Sequence, residues 1–228
     1  MFKTKDWTFD SLYAIRGFAK MYFYRKPPKH YLGFVKDGKY PIVIIPGYLM
    51  RWGFMKSIAD KISYLGHPVY VLPHLGNNVN DIPTSAKIVN ELIEENNLKN
   101  IIIVAHSKGG LIGKYLMINL DRNNRITGLV TIGTPHMGSH LANYFKFIKS
   151  NEFHPEHDMI KDLSGHPDIN KKIITVSPSF DNLVWHEKKG SLDGALENIH
   201  VTVSGHHRVV FDKEVKEKVI ASIEKLSV

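Results

Sequence analysis

Ser107 lies in "IIIVAHSKGGLIGKYL" (101–116), where an apolar run ends on a serine and glycines follow at once. A serine hydroxyl attacks a carbonyl only when a neighbouring base takes its proton and an acid orients that base. The setting reads strand, turn, helix, with small residues where side chains would collide. Ala105 stands where the glycine of a G-x-S-x-G turn is usual, and alanine is the smallest substitute. The remaining groups follow in the order Ser, Asp, His. Asp181 sits just beyond "KKIITVS", and His206 just beyond "ENIHVTVS". His207 competes for the role of base and Asp193 for that of acid, while Asp181 also has the character of a turn-capping aspartate. Position favours His206 and Asp181.

A tetrahedral oxyanion needs donors as well. "YPIVIIPGYLMRWGFM" (40–55) runs an apolar strand into Pro46-Gly47-Tyr48. Such a turn aims the Tyr48 N–H at the site, where the Lys108 N–H joins it. Each donor of this kind supplies about 3–4 kcal/mol of transition-state stabilisation. Leu49, Trp52, Met137 and Leu141 are candidates to line an apolar acyl site. The histidine pairs His136/His140 and His154/His157, the latter with Asp158, invite a metal, but the glutamate that follows the first histidine in zinc proteases is a methionine here. No metal and no cofactor are expected. His136 is expected at the site's rim and His106 behind the nucleophile turn. Gly109-Gly110 lies in neither phosphate-binding glycine pattern.

The elements that must hold these residues are short Val/Ile runs alternating with segments of helical period. The runs predict strands at Ile42–Ile45, Val69–Leu72, Ile101–Ala105, Leu129–Ile132, Ile173–Val176 and His200–Val203. Helices are predicted at 53–65, 83–96, 109–121, 139–149 and 211–226. Nearly all-apolar strands belong in a parallel sheet covered on both faces, so the expected fold is α/β, with about six mainly parallel strands flanked by helices. Ligands bind at the carboxyl ends of such strands, where Ser107, Asp181 and His206 all fall.

The chain has 228 residues, 43% of them hydrophobic and 23% charged, enough for one core. Residues 41–228 read as the catalytic domain, with 136–170 as the place for a cap or lid, and residues 1–40 as a helical extension packed on it. A helix is predicted from Asp10, as N-cap, to Tyr24, ahead of Pro27-Pro28. Its stripe of Leu12, Ile15, Phe18, Ala19, Tyr22 and Phe23 is expected to pack on the domain, the alternative being a membrane interface. The absence of cysteine excludes a disulfide scaffold. A net charge of +8 favours anionic surfaces, and transient contact with an anionic membrane is expected rather than nucleic acid, for which no base-reading motif is present. No apolar run approaches the roughly 20 residues of a membrane span. Nor does a signal peptide open the sequence, so the expected location is cytoplasmic, peripheral to the membrane at most.

Four motifs together resemble the α/β-hydrolase superfamily, and within it the small bacterial lipases and esterases. "AHSKGG" is similar to the A-H-S-x-G turn of Bacillus-type lipases. "VTIGTPHMGSHLA" (130–142) is similar to their G-T-P-H-x-G-S stretch, "DMIKDLSG" (158–165) to part of their insertion, and "VSGHHRVVFDKEV" (203–215) to their terminal G-H pattern. The resemblance covers about residues 40–220. It implies a cofactor-free esterase or lipase with Ser107 as nucleophile, His206 as base and Asp181 as its orienter. A thioesterase, an acyltransferase or a catalytically silent binding domain would use the same frame. Two positions depart from the family: Pro46 stands where histidine is frequent, and Lys108 where a neutral residue is common. Lys108 either attracts an anionic substrate or points to solvent.

Overall fold

Strands apolar on both faces are satisfied only inside a doubly covered sheet, and the computed structural model lays five of them side by side with a sixth, half-exposed strand at one edge. It describes residues 4–140, 151–185 and 190–227. The strands are β1 (Ile42–Ile45), β2 (Val69–Val71), β3 (Ile101–His106), β4 (Ile126–Ile132), β5 (Ile173–Phe180) and β6 (Glu197–Ser204). Their order is β2-β1-β3-β4-β5-β6, every pair parallel. The helices, among the described residues, are α1 (Thr4–Phe23), α2 (His30–Gly33), α3 (Lys56–Tyr64), α4 (Ile82–Glu95), α5 (Lys108–Asn119), α6 (Asp158–Ser164), α7 (Pro167–Asn170) and α8 (Lys213–Leu226). The helix predicted at 139–149 falls almost wholly outside the described residues. Among those residues no helix is long and apolar enough to cross a membrane.

Side chains alternate along each strand, and the alternation sorts the core in two. Ile42, Ile44, Ile102 and Val104 face one layer with Ile58 and Ile62 of α3 and Val219 and Ile223 of α8. Val43, Ile45, Ile101 and Ile103 face the other, with Val89 of α4 and Leu111 and Leu116 of α5. α4 and α8 begin on aspartates, the Asp81 and Asp212 carboxylates accepting from the N–H groups of Thr84 and Glu214.

β5 and β6 outrun the predicted apolar runs, because pairing continues where the side chains turn polar. Pro178 and Phe180 still pair with β6 across a register shift, and the Ser179 hydroxyl donates to the Thr202 carbonyl.

α1 departs most from expectation. It begins at Thr4, so Asp10 is an interior residue and not an N-cap. It is also turned over. Asp10, Gly17 and Met21 face the protein, with Gly17 so close to the Phe54 ring that a Cβ would collide with it. The stripe expected to pack is instead turned outward: Leu12, Ile15, Tyr22 and Phe23 are exposed, and Phe18 only partly covered.

Strand order reverses between β1 and β3. Their carboxyl ends therefore frame the crevice in which such sheets hold ligands.

Candidate active site

Ser107 follows β3 at φ 52° and ψ −124°, backbone that a non-glycine residue adopts at a cost of about 1 kcal/mol or more. Its N–H donates to the Ile132 carbonyl at 2.9 Å, and its own carbonyl accepts from the Thr134 hydroxyl at 2.9 Å. Gly109 and Gly110 are required next, since a Cβ there would strike the Ile45 carbonyl and the Thr134 side chain. Ala105 is fully buried one residue before the strand ends, small enough to stand for the missing glycine. The serine thus projects from the N-terminus of α5, where free N–H groups and the helix dipole favour negative charge.

The imidazole of His206 bridges the serine and the acid. Its Nε2 lies 2.9 Å from the Ser107 hydroxyl and its Nδ1 is 3.0 and 2.9 Å from the two carboxylate oxygens of Asp181. Burial pulls the imidazole pKa down, but the charge and hydrogen bond of Asp181, with Asp10 farther off, outweigh it and leave it raised. Asp181 contacts both the turn that follows it and the His206 ring. One oxygen accepts from the Leu183 and Val184 N–H groups, fixing the turn, while both face His206. Asp193 is elsewhere, its carbonyl accepting from Asn170.

The Gly47-Tyr48 turn lies against the serine, a Cβ on Gly47 falling 3.1 Å from that of Ser107. Asn78, itself fully buried, donates to the Pro46 and Gly47 carbonyls at 2.8 and 3.3 Å and holds the turn. Among the described residues the N–H groups of Tyr48 and Lys108 have no protein acceptor.

The Lys108 side chain does neither of the things expected of it. It is 1% exposed and runs back under the turn. There its ammonium pairs with Glu152 at 2.8 Å, donates to the Asn80 carbonyl, and lies 5.3 Å from the centre of the Tyr48 ring. Burial lowers its pKa, and the Glu152 carboxylate works against that shift. The other oxygen of Glu152 caps α4 at the Ile82 N–H. The ion pair therefore ties the residue after Ser107 to the segment after β4.

The apolar candidates divide. Leu49 is exposed beside the turn at φ 59°, and Met137 is half-buried. Trp52 is a correction: at 2% exposed it packs against Tyr31 in the core. Leu141 lies outside the described residues, with the middle of the expected lid. His136 is not at the rim but buried, 3.0 Å from the Thr131 hydroxyl. His106 does pack behind the turn, stacked on Phe54 and donating to the His206 carbonyl, and burial holds it neutral. His157 caps α6 and His154 accepts from the Glu156 N–H.

Asp10 is the residue sequence reasoning misplaced. From α1 it accepts from the His207 N–H and ring at 2.7 Å each, the Arg208 N–H at 2.9 Å and the Asn182 amide at 3.0 Å. Asn182 in turn accepts from the His206 N–H. His207, the rival base, is thus committed to Asp10. Burial alone would raise the Asp10 pKa, but these donors bring it from 3.8 to about 2. A depressed folded pKa means stability present above the unfolded value and lost as pH falls through the folded one. Asp10→Asn is therefore expected to cost about 2 kcal/mol at neutral pH, a deficit that shrinks as pH falls from about 4 toward 2. Urea denaturation of both proteins across that range reads it directly.

Asn78, Asn182, Thr134 and Glu152 were the other supports not singled out. Thr134 and Asn182 carry one local signal, a polar residue two positions beyond a strand end, and Asn78 and Glu152 carry none.

Comparison with known proteins adds an independent line. The profile of a family described as "alpha/beta hydrolase fold" matches residues 40–155. A 59-residue stretch is 41% identical to triacylglycerol lipase 2 of Saccharomyces cerevisiae, covering 25% of this chain and 18% of the yeast protein. The match thus spans under a fifth of that relative. The mature form of a Bacillus licheniformis lipase superposes with a TM-score of 0.64 at 17% identity, over 89% of this chain and 96% of that one. A monoacylglycerol lipase of Paleococcus ferrophilus gives 0.60 at 15% identity, over 85% and 96%. At such identities the likeness to the solved structures is one of fold.

Proposed function

Because this chain belongs to the alpha/beta hydrolase fold family, we propose that it is a serine hydrolase of carboxylic esters, of lipid type. The observation that carries the reading is the unbroken hydrogen-bonded line from Asp181 through His206 to Ser107. The names of the similar proteins, lipases of mono- and triacylglycerols, support the substrate class.

In this reading the Ser107 oxygen attacks the acyl carbonyl as His206 Nε2 takes its proton. Asp181 holds the ring with Nδ1–H toward itself and stabilises the imidazolium. The carbonyl oxygen gathers negative charge between the N–H groups of Tyr48 and Lys108, assisted by the N-terminus of α5. Collapse expels the alcohol, which leaves with the proton from His206. Water, deprotonated by the same nitrogen, then attacks the acyl-serine and regenerates Ser107 with release of the acid. The cycle balances without a cofactor. The Lys108–Glu152 pair spends the lysine charge on the fold, so charge recognition of the substrate falls to other groups.

A fluorophosphonate probe tests this directly. Mass spectrometry is expected to find one adduct, on the peptide carrying Ser107. The labelling rate should fall as pH drops through the His206 pKa, above the 6.5 of a free imidazole, because the protonated ring cannot accept the serine proton. A folded protein that stays unlabelled sinks the reading and leaves a silent binding domain. Product analysis with a long-chain p-nitrophenyl ester, with and without an added alcohol, separates hydrolysis from acyl transfer.

A further inference from the structure

α1 carries apolar side chains on both of its sides and buries only one of them. Asp10, Gly17 and Met21 meet the protein, while Phe9, Leu12, Ile15, Tyr22 and Phe23 are 53, 57, 65, 65 and 77% exposed. A surface helix ordinarily presents polar residues on its outer side, and a contiguous apolar strip left in water marks a surface that something covers. The orientation is not slack packing. Four hydrogen bonds to Asp10 fix the rotation of the helix, and the missing Cβ of Gly17 admits Phe54.

Charge indicates what the cover is. Residues 1–40 contain nine Lys and Arg against three Asp, and so hold six of the chain's eight surplus positive charges. One of those aspartates, Asp10, is buried against His207. Arg16 stands within the exposed stripe, and Arg25, Lys26 and Lys29 follow its end, all exposed. The Arg25 guanidinium lies 5.3 Å over the Tyr22 ring. Apolar and aromatic side chains bordered by cations suit the boundary between acyl chains and anionic headgroups. A second copy of the chain would bring like charges together. Nucleic acid would match the cations and leave Leu12, Ile15 and Phe23 unsatisfied.

We propose that the outer face of α1 docks this protein on an anionic lipid surface. Phe9, Leu12, Ile15, Tyr22 and Phe23 enter the acyl boundary, and the basic residues lie among the headgroups. On its other side α1 is tied through Asp10 to the His207–Arg208 turn, next in the chain to His206. The docked helix and that loop therefore form one unit. Docking stands whether or not the protein cleaves esters.

The test is co-sedimentation of the full chain with vesicles of phosphatidylcholine alone and of phosphatidylcholine with phosphatidylglycerol. Wild type is expected in the pellet with the anionic vesicles and to be released by salt. Leu12→Ser/Ile15→Ser/Phe23→Ser should weaken partitioning by about tenfold or more. Arg25→Glu/Lys26→Glu should remove the preference for phosphatidylglycerol. Leu196→Ser, an exposed change where the chain enters the opposite end of the sheet, should bind as wild type. Thermal melting, independent of any activity, confirms that each variant is folded. Wild type left in the supernatant overturns the proposal, as does a triple variant that binds unchanged. So does a wild-type dimer that the triple variant dissolves while neither protein binds vesicles, which would make the face a subunit contact.

Discussion

Ser107→Ala is expected to lower kcat for a p-nitrophenyl ester by on the order of a millionfold while leaving the melting temperature close to wild type. The two outcomes have separate causes. Among the described residues the Ser107 hydroxyl bonds only to His206, so its loss strands no other polar group there, and alanine meets the same φ of 52° with the same Cβ. In the proposed mechanism the chemistry loses the atom that would form the acyl-enzyme, and what remains is the contribution of binding and the oxyanion donors, about a thousandfold or more over water. Members of such a unit are not additive. Ser107→Ala/His206→Ala should therefore be no slower than Ser107→Ala alone, since a base without its nucleophile has nothing to deprotonate. Activity within about tenfold of wild type in the single variant would remove Ser107 from the mechanism.

Lys108→Met is expected to cost about 3–5 kcal/mol of stability, read by urea denaturation. An exposed lysine at this position would give a change within about 0.5 kcal/mol, and such a result would refute the buried pair. The large effect follows from what is left behind. Glu152 would keep its bond to the Ile82 N–H, but its second oxygen would be buried with no cation. Removing both partners, as Lys108→Met/Glu152→Leu, should recover much of the loss, because an apolar replacement of a buried pair is often close to neutral. Recovery should stop short of wild type, since the cap on α4 goes with the carboxylate. The backbone N–H of Lys108 survives the substitution. Fluorophosphonate labelling of the folded fraction should therefore persist, which separates a bracing side chain from a substrate-binding one.

Some of this protein was legible from its residues alone, and for local reasons. Several Val/Ile runs have almost no polar face and so belong in a covered parallel sheet, and parallel strands deliver their carboxyl ends to one edge. Ser107, Asp181 and His206 each follow such an end, so sequence order already implied a meeting that the distances of 2.9 Å now express. The glycines after Ser107 likewise announced a turn with no room for side chains.

The failures fall where a residue's partner is remote. Lys108 beside a nucleophile reads as a free cation until a carboxylate from beyond β4 is brought to it. Asp10 ahead of an apolar stripe reads as a cap, but its donors lie 197 and 198 positions away. Helical periodicity gave the stripe of α1 and said nothing of what covers it. Four hydrogen bonds offset the desolvation of Asp10, and the gap at Gly17 completes the fit, so the side that carries Asp10 turns inward. Composition and period fix which surfaces want to leave water. Only tertiary structure decides which buried charges are compensated, and hence which surface is left in water.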